Sequence, residues 1–377
     1  MFPHREANIA LHEPEFNNQA ETLVLECLRS TYVSSVGNYV QDFEAELAAV
    51  CEVKHAVAMV NGTAALEVAL RVVGVDPGSE VLMPSLTFIA TANAVSHLQA
   101  VPHFVDVEDE SLGIDSDALL RHLKKIGRQT SGGFFNKETG RRISAIVPVH
   151  VFGHPAAMDE LNAVASTFDL PVIEDAAEAL GSQYKQKQCG SLGHAGAFSF
   201  NGNKILTTGG GGAVVTNDAK VADLARHLSS TAKLAHPWKF EHDSVGYNYR
   251  MPNLNAALGV SQLMDLTTRI ASKRTLAAAY ANAFSNQDGL RVLKEPGYAT
   301  SNYWLNAIIL DSAAVGCRDA VLKRLHKLGF MARPIWKPMH QQVMYADSPR
   351  AKLPTTEDFA DRIINLPSSA HLKDLLQ

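Results

Sequence analysis

Short apolar runs alternate with amphipathic segments through the first part of the chain. Runs of strand length occur at 56–60, 80–84, 103–106, 143–149 and 170–174. The residues between these runs repeat their apolar positions with helical spacing. Strands that alternate with helices in this way are typical of an α/β protein. The pattern therefore predicts a mostly parallel central sheet with helices on both faces.

Helices are also predicted before and after this alternating region. An extended lead-in over 8–16 precedes two amphipathic helices, predicted at 18–30 and 38–50. A long apolar helix is predicted from Asn253 to about Phe284. The remaining chain predicts a mixture of strands and helices, namely strands near 304–310 and 331–335 and helices near 318–328 and 355–364.

The chain length favours two structural units. A single core stops growing at roughly 250 to 300 residues, and this chain has 377. We expect an N-terminal arm and large domain over 1–252. A bridging helix and a smaller α+β domain are expected over 253–377.

Composition removes several classes of function. The formal net charge is -5 and no run of five like charges occurs, so nucleic acid is not an expected partner. No stretch approaches the roughly 18 to 20 apolar residues that span a bilayer. The first six residues hold no apolar leader segment, so we expect a cytoplasmic protein without a membrane partner.

The four cysteines are widely spaced, which predicts free thiols. His150 and His154 have no acid or cysteine to complete a set, so no metal is expected.

Two motifs carry the candidate chemistry. The run Val172–Gly181 ends a strand on an acid, Asp175, and Lys204 follows 29 residues later in a loop that leads to the glycines 209–212. A lysine held out of water can attack an aldehyde, and a carboxylate beside a pyridine nitrogen keeps that nitrogen protonated. Each feature has a plainer interpretation, because a strand-end acid, a solvated lysine and a flexible glycine turn are all common.

The order and spacing of these motifs resemble the DegT family of sugar aminotransferases. Members of that family carry an Asp-Ala-Ala-x-x-x-Gly box, then Ser-Phe, a Schiff-base lysine and a glycine-rich entry to a strand. The resemblance covers essentially the whole chain and implies a fold-type I enzyme that depends on pyridoxal 5'-phosphate. It makes Lys204 and Asp175 the catalytic residues, with Asp175 at the pyridine nitrogen.

Five further positions are candidate cofactor contacts. Gly62 and Thr63 begin a predicted helix, whose free backbone N–H groups suit a phosphate, although Thr63 could instead be a simple helix cap. By the resemblance, Ser199 supplies a phosphate-binding hydroxyl and Phe88 stacks on the ring, where a buried core phenylalanine is the alternative. Glu178 stands where many relatives have Gln or His. A carboxylate there must be protonated or contact something else.

The segment Gly246–Pro252 is another match to the family. In relatives its asparagine reaches the phosphate in the neighbouring subunit, and the residues after it line the substrate entrance. The resemblance therefore implies these roles for Asn248 and Arg250, in a homodimer with shared active sites. His340 lies in a segment that resembles the substrate-side loop, with a packed aromatic turn as the alternative.

An insertion over 127–142 narrows the expected substrate. It is too polar and long for a plain connection, and we expect a β-hairpin anchored by Phe134 and Phe135. It resembles the insertion of enzymes in bacillosamine or legionaminic acid synthesis. This implies a UDP-linked 4-keto-6-deoxy-N-acetylhexosamine as amino acceptor and glutamate as donor, for cell-surface glycan. Amination at C3 instead of C4 stays open.

Two other functions within the same fold are the alternatives. A sugar dehydratase of this family has a histidine in place of the lysine, and a non-catalytic regulator would be expected to lose the lysine or the acid. Lys204 and Asp175 are both present.

Overall fold

The computed structural model describes residues 8–376, so the first seven residues of the predicted arm lie outside the described part. The elements of the described chain, in order, are α1 (Asn18–Ser30), α2 (Asn38–Val50), β1 (His55–Met59), α3 (Gly62–Val72), β2 (Glu80–Pro84), α4 (Ile89–His97), β3 (Val101–Val105), α5 (Ser116–Ile126), β4 (Gly127–Thr130), β5 (Gly133–Asn136), β6 (Ile143–Ile146), α6 (Met158–Thr167), β7 (Ile173–Asp175), β8 (Gln183–Tyr184), β9 (Lys187–Gln188), β10 (Ala195–Ser199), β11 (Gly212–Thr216), α7 (Ala219–Ser229), α8 (Asn253–Met264), α9 (Leu266–Ala283), β12 (Leu290–Val292), β13 (Ala299–Thr300), β14 (Asn306–Leu310), α10 (Arg318–Lys327), β15 (Arg333–Pro334), α11 (Pro354–Ala360) and β16 (Ile363–Leu366).

Seven strands form the central layer. Strands β3, β2 and β6 pair in parallel, and so do β7 and β10. Parallel bridges from Ile146 to Val172 and from Val149 to Asp175 join β6 to β7. Strand β11 runs antiparallel to its two neighbours, β10 and β1. The predicted mostly parallel α/β sheet is confirmed, with antiparallel pairing at one end.

The two faces of this layer are covered by separate apolar clusters. In β1, Ala56 and Ala58 belong to one cluster with Phe43 of α2, and Val57 and Met59 belong to the other. Successive side chains of a strand point to opposite faces, so a strand buried on both sides reads as a continuous apolar run. This is why the central strands could be recognised as short apolar segments.

The C-terminal part forms an antiparallel sheet in the order β12-β14-β16-β15. Its core is a separate cluster that includes Leu276, Tyr280 and Ile364. Within residues 8–376, no helix is both long enough and apolar enough to cross a membrane. The division of the chain at 252/253 stays a prediction.

The prediction of one helix from Asn253 to Phe284 is wrong, because α8 ends at Met264 and α9 begins at Leu266. The amide of Asn17 donates hydrogen bonds to the Ser261 carbonyl (3.0 Å) and the Asp265 carboxylate (2.6 Å). The Ser261 carbonyl would accept the Asp265 N–H in a continuous helix. The Asp265 N–H instead donates to the Leu263 carbonyl. Asn17, a residue of the N-terminal arm, thus takes the place of the missing helical donor at the break.

The predicted helix over 355–364 is also wrong in its second half. Helix α11 ends at Ala360, and Ile363 to Leu366 form β16, which pairs with β14 and β15. These four residues are all buried, as a strand in the middle of a sheet requires. The strands that pair with them, β14 and β15, are distant in sequence, so the segment by itself does not show that it forms a strand.

The insertion over 127–142 forms the expected hairpin, since β4 pairs with β5. Phe134 is buried against Phe168, with ring centres 4.7 Å apart, whereas Phe135 is only half-buried. The amide of Asn136 donates to Glu80 of β2 (3.0 Å), and the same carboxylate pairs with His103 (2.8 Å). The hairpin is thereby fastened to the parallel sheet.

Glu174 anchors the strand that carries Asp175. Its carboxylate is fully buried and accepts hydrogen bonds from the backbone N–H groups of Gly190, Leu192 and Gly193, each at 2.7 Å. The ring of His150 lies at 3.0 Å from the same carboxylate. One side chain therefore accepts three backbone N–H groups of the turn that connects β9 to β10.

We predict that Glu174→Ala lowers the free energy of unfolding by about 3–5 kcal/mol, because the buried donors lose their shared acceptor. Urea denaturation of the apoprotein measures the change. Glu138→Ala, at an exposed glutamate in the hairpin, is the matched control and should stay within about 0.5 kcal/mol of the wild type. Equal midpoints for both variants would contradict the anchoring role.

Candidate active site

Lys204 lies in the loop that follows β10, with its amine almost enclosed. Its Nζ donates a hydrogen bond to Glu178 Oε1 at 3.3 Å and sits 4.0 Å from the centre of the Trp304 ring. The indole N–H of Trp304 donates to the carbonyl of Asn203 at 2.7 Å. The residue before the lysine thus holds the ring that covers its amine.

Asp175 ends β7 at the carboxyl edge of the sheet, where open α/β sheets bind ligands. Its Oδ2 accepts a hydrogen bond from Thr91 Oγ1 at 2.7 Å, and its Oδ1 accepts one from the Ala177 N–H at 3.2 Å. The carboxylate is therefore held from two sides while most of its surface is buried.

Glu178 is the second acid of the site, and its surroundings differ from those of Asp175. Its Oε2 accepts the backbone N–H of Phe152 at 2.8 Å, and its Oε1 accepts the lysine amine. Burial raises the pKa of Glu178 to about 7, against the lowering effect of Lys204 and of the Phe152 N–H. The carboxylate therefore has two contacts of the kind that the sequence analysis allowed for, the Phe152 N–H and the lysine amine.

The start of α3 lies against the end of β10. Helix α3 begins at Gly62, and Asn61 caps it by accepting the Ala64 N–H at 2.8 Å, so the alternative of Thr63 as the cap is wrong. A Cβ added to Gly62 would stand 2.6 Å from the Cβ of Ser199. Only glycine permits this approach, which brings the first turn of α3 and the Ser199 side chain together.

These residues fit a phosphorylated pyridoxal. The first N–H groups of a helix have no acceptor within the helix and attract an anion, and the first turn of α3 contains no acid. An amine, a carboxylate at a strand end and a phosphate cradle are the three groups that such a cofactor requires. Lys204, Asp175 and the Gly62–Ser199 contact supply these groups.

Phe88 stands directly before α4 and is 51% exposed, so the alternative of a buried core phenylalanine is wrong. Its ring makes an edge contact with Trp336, with centres 6.3 Å apart. His340, four residues after this tryptophan, has Nδ1 2.7 Å from Ser85 Oγ and Nε2 3.3 Å from Glu357. Burial lowers the pKa of His340. The 336–340 segment therefore packs beside Phe88.

Asn248 and Arg250 lie in the segment that leads to α8, where Arg250 forms an antiparallel bridge with Met59 of β1. Asn248 is exposed, and its backbone pairs with Ser230. Arg250 Nη2 donates to Glu44 at 2.6 Å, and within residues 8–376 its Nη1 is buried without an acceptor. In the described chain, neither side chain contacts Lys204. Their expected roles in the partner's site and at the substrate entrance stay predictions.

Sequence reasoning missed two residues that contact the candidate pair. Thr91 lies three residues after Phe88, so helical spacing from that aromatic could have indicated it. Trp304 lies 100 residues beyond Lys204, and no local pattern connects the two.

Histidines singled out in the sequence have structural partners. His150 faces Glu174, and His154 packs edge-on against Tyr303 with ring centres 5.1 Å apart. Across residues 8–376, no three His, Cys, Asp or Glu side chains cluster closely enough to hold a metal ion.

Comparison with known proteins gives consistent matches over almost the whole chain. The model of the DegT/DnrJ/EryC1/StrS aminotransferase family matches residues 14–375. GDP-perosamine synthase of Escherichia coli O157:H7 is 36% identical over 97% of this chain and 94% of its own length. A UDP-N-acetyl-3-dehydro-alpha-D-glucosamine 3-aminotransferase of Acidithiobacillus ferrooxidans is 35% identical over 90% of this chain and 86% of its own.

A solved structure agrees with these sequence matches. Helicobacter pylori PseC, an aminotransferase involved in the biosynthesis of pseudoaminic acid, superposes with a TM-score of 0.88 at 28% identity. The match covers 97% of this chain and 95% of that one.

We predict that the contribution of Glu178 to the stability of the apoprotein falls as pH rises from about 4.5 to 7. Unfolding there releases a proton, because the folded pKa is about 7 and the ordinary value is 4.5. Glu178→Gln removes this contribution and should make the slope of unfolding free energy against pH more positive than in the wild type over this range. Glu138→Gln, at an exposed site, is the control and should leave the slope unchanged. An identical slope in Glu178→Gln and the wild type would contradict the raised pKa.

Proposed function

This chain belongs to the DegT/DnrJ/EryC1/StrS aminotransferase family, and we propose that it transfers the amino group of glutamate to C4 of a UDP-linked 4-keto-6-deoxy-N-acetylhexosamine. The family depends on pyridoxal phosphate, and its members include sugar aminotransferases of nucleotide-sugar pathways. The proposal includes a cytoplasmic homodimer that serves cell-surface glycan synthesis.

The observation that carries the proposal is the enclosed pair of Lys204 and Glu178 beside the strand-end acid Asp175. The two acids have different surroundings, since Asp175 receives two hydrogen bonds at a strand end and Glu178 has a pKa raised by burial to about 7. Carboxylates in different surroundings perform different tasks in one site.

Each residue has a defined task in the proposed reaction. When bound, pyridoxal phosphate supplies a ring that withdraws electrons from the carbon that loses its proton. Asp175 would hold the positive charge at the ring nitrogen. Lys204 Nζ removes the proton from the α-carbon of glutamate and later delivers a proton to C4 of the sugar. Glu178, by accepting a hydrogen bond from Nζ, orients the amine.

The remaining candidates position the reactants. Gly62, Thr63 and Ser199 would hold the phosphate at the start of α3, where the helix dipole favours an anion. Phe88 would cover one face of the ring. His340, brought beside Phe88 by its contact with Ser85, is assigned to the sugar side.

The choice of substrate rests on the hairpin at 127–142. The relatives differ in nucleotide and in acceptor sugar, because one is named for GDP-perosamine and another for a UDP-linked 3-keto sugar. The hairpin resembles that of enzymes which aminate UDP-linked N-acetylated 4-keto sugars. The C4 position and the N-acetyl group are proposed on this ground.

The homodimer is supported by an exposed apolar loop. Leu234, Trp238, Phe240 and Val245 are all exposed in the loop that leads to Asn248. Monomeric proteins seldom expose a concentration of large apolar side chains, and a second copy of the chain would cover it. Asn248 then reaches the partner's phosphate site. Arg250 lies at the substrate entrance, and its buried Nη1 has no acceptor among residues 8–376.

We predict that the purified enzyme with glutamate aminates UDP-4-keto-6-deoxy-N-acetylhexosamine in preference to two analogues. The first analogue is a GDP-linked 4-keto-6-deoxy sugar without the N-acetyl group, and the second is a UDP-linked 3-keto N-acetylated sugar. Mass spectrometry of the products and 2-oxoglutarate release measure the reaction. Lys204→Ala should lose several powers of ten in rate. Turnover of the 3-keto sugar alone would overturn the C4 assignment.

We predict that Lys204→Ala and Asn248→Ala chains, each weakly active alone, regain activity when mixed under conditions of subunit exchange. In the heterodimer one site receives both lesions and the other receives none, so about half of the wild-type activity per heterodimer should return. Asn248 is exposed, so its change leaves the core intact. If native mass spectrometry shows exchange and no activity returns, the two residues act within one chain.

A further inference from the structure

Two buried threonine hydroxyls stand in line with the carboxylate of Asp175. Thr91 Oγ1 is 2.7 Å from Asp175 Oδ2, and Thr87 Oγ1 is 2.9 Å from Thr91 Oγ1. Both threonines are 1% exposed. The line begins where β2 gives way to α4 and ends on the last residue of β7.

The direction of these hydrogen bonds follows from the donor inventory. An ionised carboxylate can only accept, and a hydroxyl has one proton to donate. Thr91 therefore donates its hydrogen bond to Asp175, and Thr87 must be the donor in the contact between the two threonines. The carbonyl of Phe88 is the competing acceptor, but it lies at 3.3 Å from each hydroxyl. Hydrogen bonds aligned in one direction strengthen one another.

The same short segment also carries the exposed ring of Phe88. Thr87, Phe88 and Thr91 span the end of one loop and the first turn of α4. The buried faces of this turn bind Asp175 through Thr91, while Phe88 projects outward beside Trp336. One rigid turn thus connects the aromatic side chain and the strand-end acid.

We propose that Thr91 is a positioning residue that orients the Asp175 carboxylate toward the cofactor's ring nitrogen and couples it to the turn that presents Phe88. This inference rests on the proposed function and adds a residue that the motif did not include. The last torsion of an aspartate has broad preferences, so a directed donor is needed to hold the carboxylate in one plane. The Ala177 N–H, at 3.2 Å from the other oxygen, completes the restraint.

The test uses variants that differ in one oxygen atom. Thr91→Val removes the hydroxyl and keeps the shape, Thr91→Ser keeps the hydroxyl, and Thr91→Ala matches the serine variant without it. Thr356→Val is the control for a buried hydroxyl-to-methyl change, because Thr356 Oγ1 is buried in α11 without a hydrogen-bond partner in the described chain.

Two readouts separate positioning from packing. The ¹⁵N chemical shift of a labelled pyridoxal phosphate ring, in the reconstituted enzyme, reports the protonation of its nitrogen without turnover. The single-turnover rate with glutamate, compared with the KM for the sugar nucleotide, reports the chemical step. We expect Thr91→Val and Thr91→Ala to shift the nitrogen signal toward the neutral form. They should slow the glutamate half-reaction by about 10- to 100-fold, the factor for a hydrogen bond to a charged group, with KM unchanged.

The remaining outcomes are also decisive. Thr91→Ser should resemble the wild type in both readouts, as should Thr356→Val. A serine variant as impaired as the alanine variant, or an alanine variant with wild-type nitrogen signal and rate, would overturn the inference. If melting curves show that the valine variant does not fold, the serine and alanine pair decides. Failure of the wild type to bind the cofactor would refute the proposed function instead, which keeps the two results apart.

Discussion

The parallel pairing of β7 with β10 is the constraint on which the site depends. Its register sets Asp175 beside Ala197, so the acid and the loop that carries Lys204 leave the sheet at the same edge. Glu174 secures this register from behind by holding the turn at 190–193. The spacing of the active groups is therefore set by the backbone hydrogen bonds between β7 and β10 and by the buried carboxylate of Glu174.

Local patterns predicted most of the elements and failed where a distant residue decides. The bounds of α1, α2 and β2 agree with the prediction because helical and apolar periodicity are properties of the segment itself. The break at Asp265 depends on Asn17, which lies almost 250 residues earlier. Strand β16 likewise exists because β14 and β15 lie beside it, and the segment alone gave no sign of this.

The candidate site shows the same division between local and distant information. Motif spacing indicated Asp175 and Lys204, and the structure brings Gly62 against Ser199 although 137 residues separate them. The contacts of Thr91 and Trp304 with the acid and the amine could not be read from spacing, since both arise from tertiary packing. The motif thus identifies the groups that react, and the packing identifies those that orient them.

Adjacent acids on β7 face opposite sides of the strand, and this limits how the sequence can change over evolutionary time. Exchange of Glu174 and Asp175 would leave composition and net charge untouched. It would nevertheless place the shorter side chain before a turn whose three N–H groups need a longer reach, and the longer one against Thr91. Each position therefore requires a carboxylate on a side chain of its own length, and neither acid can take the place of the other.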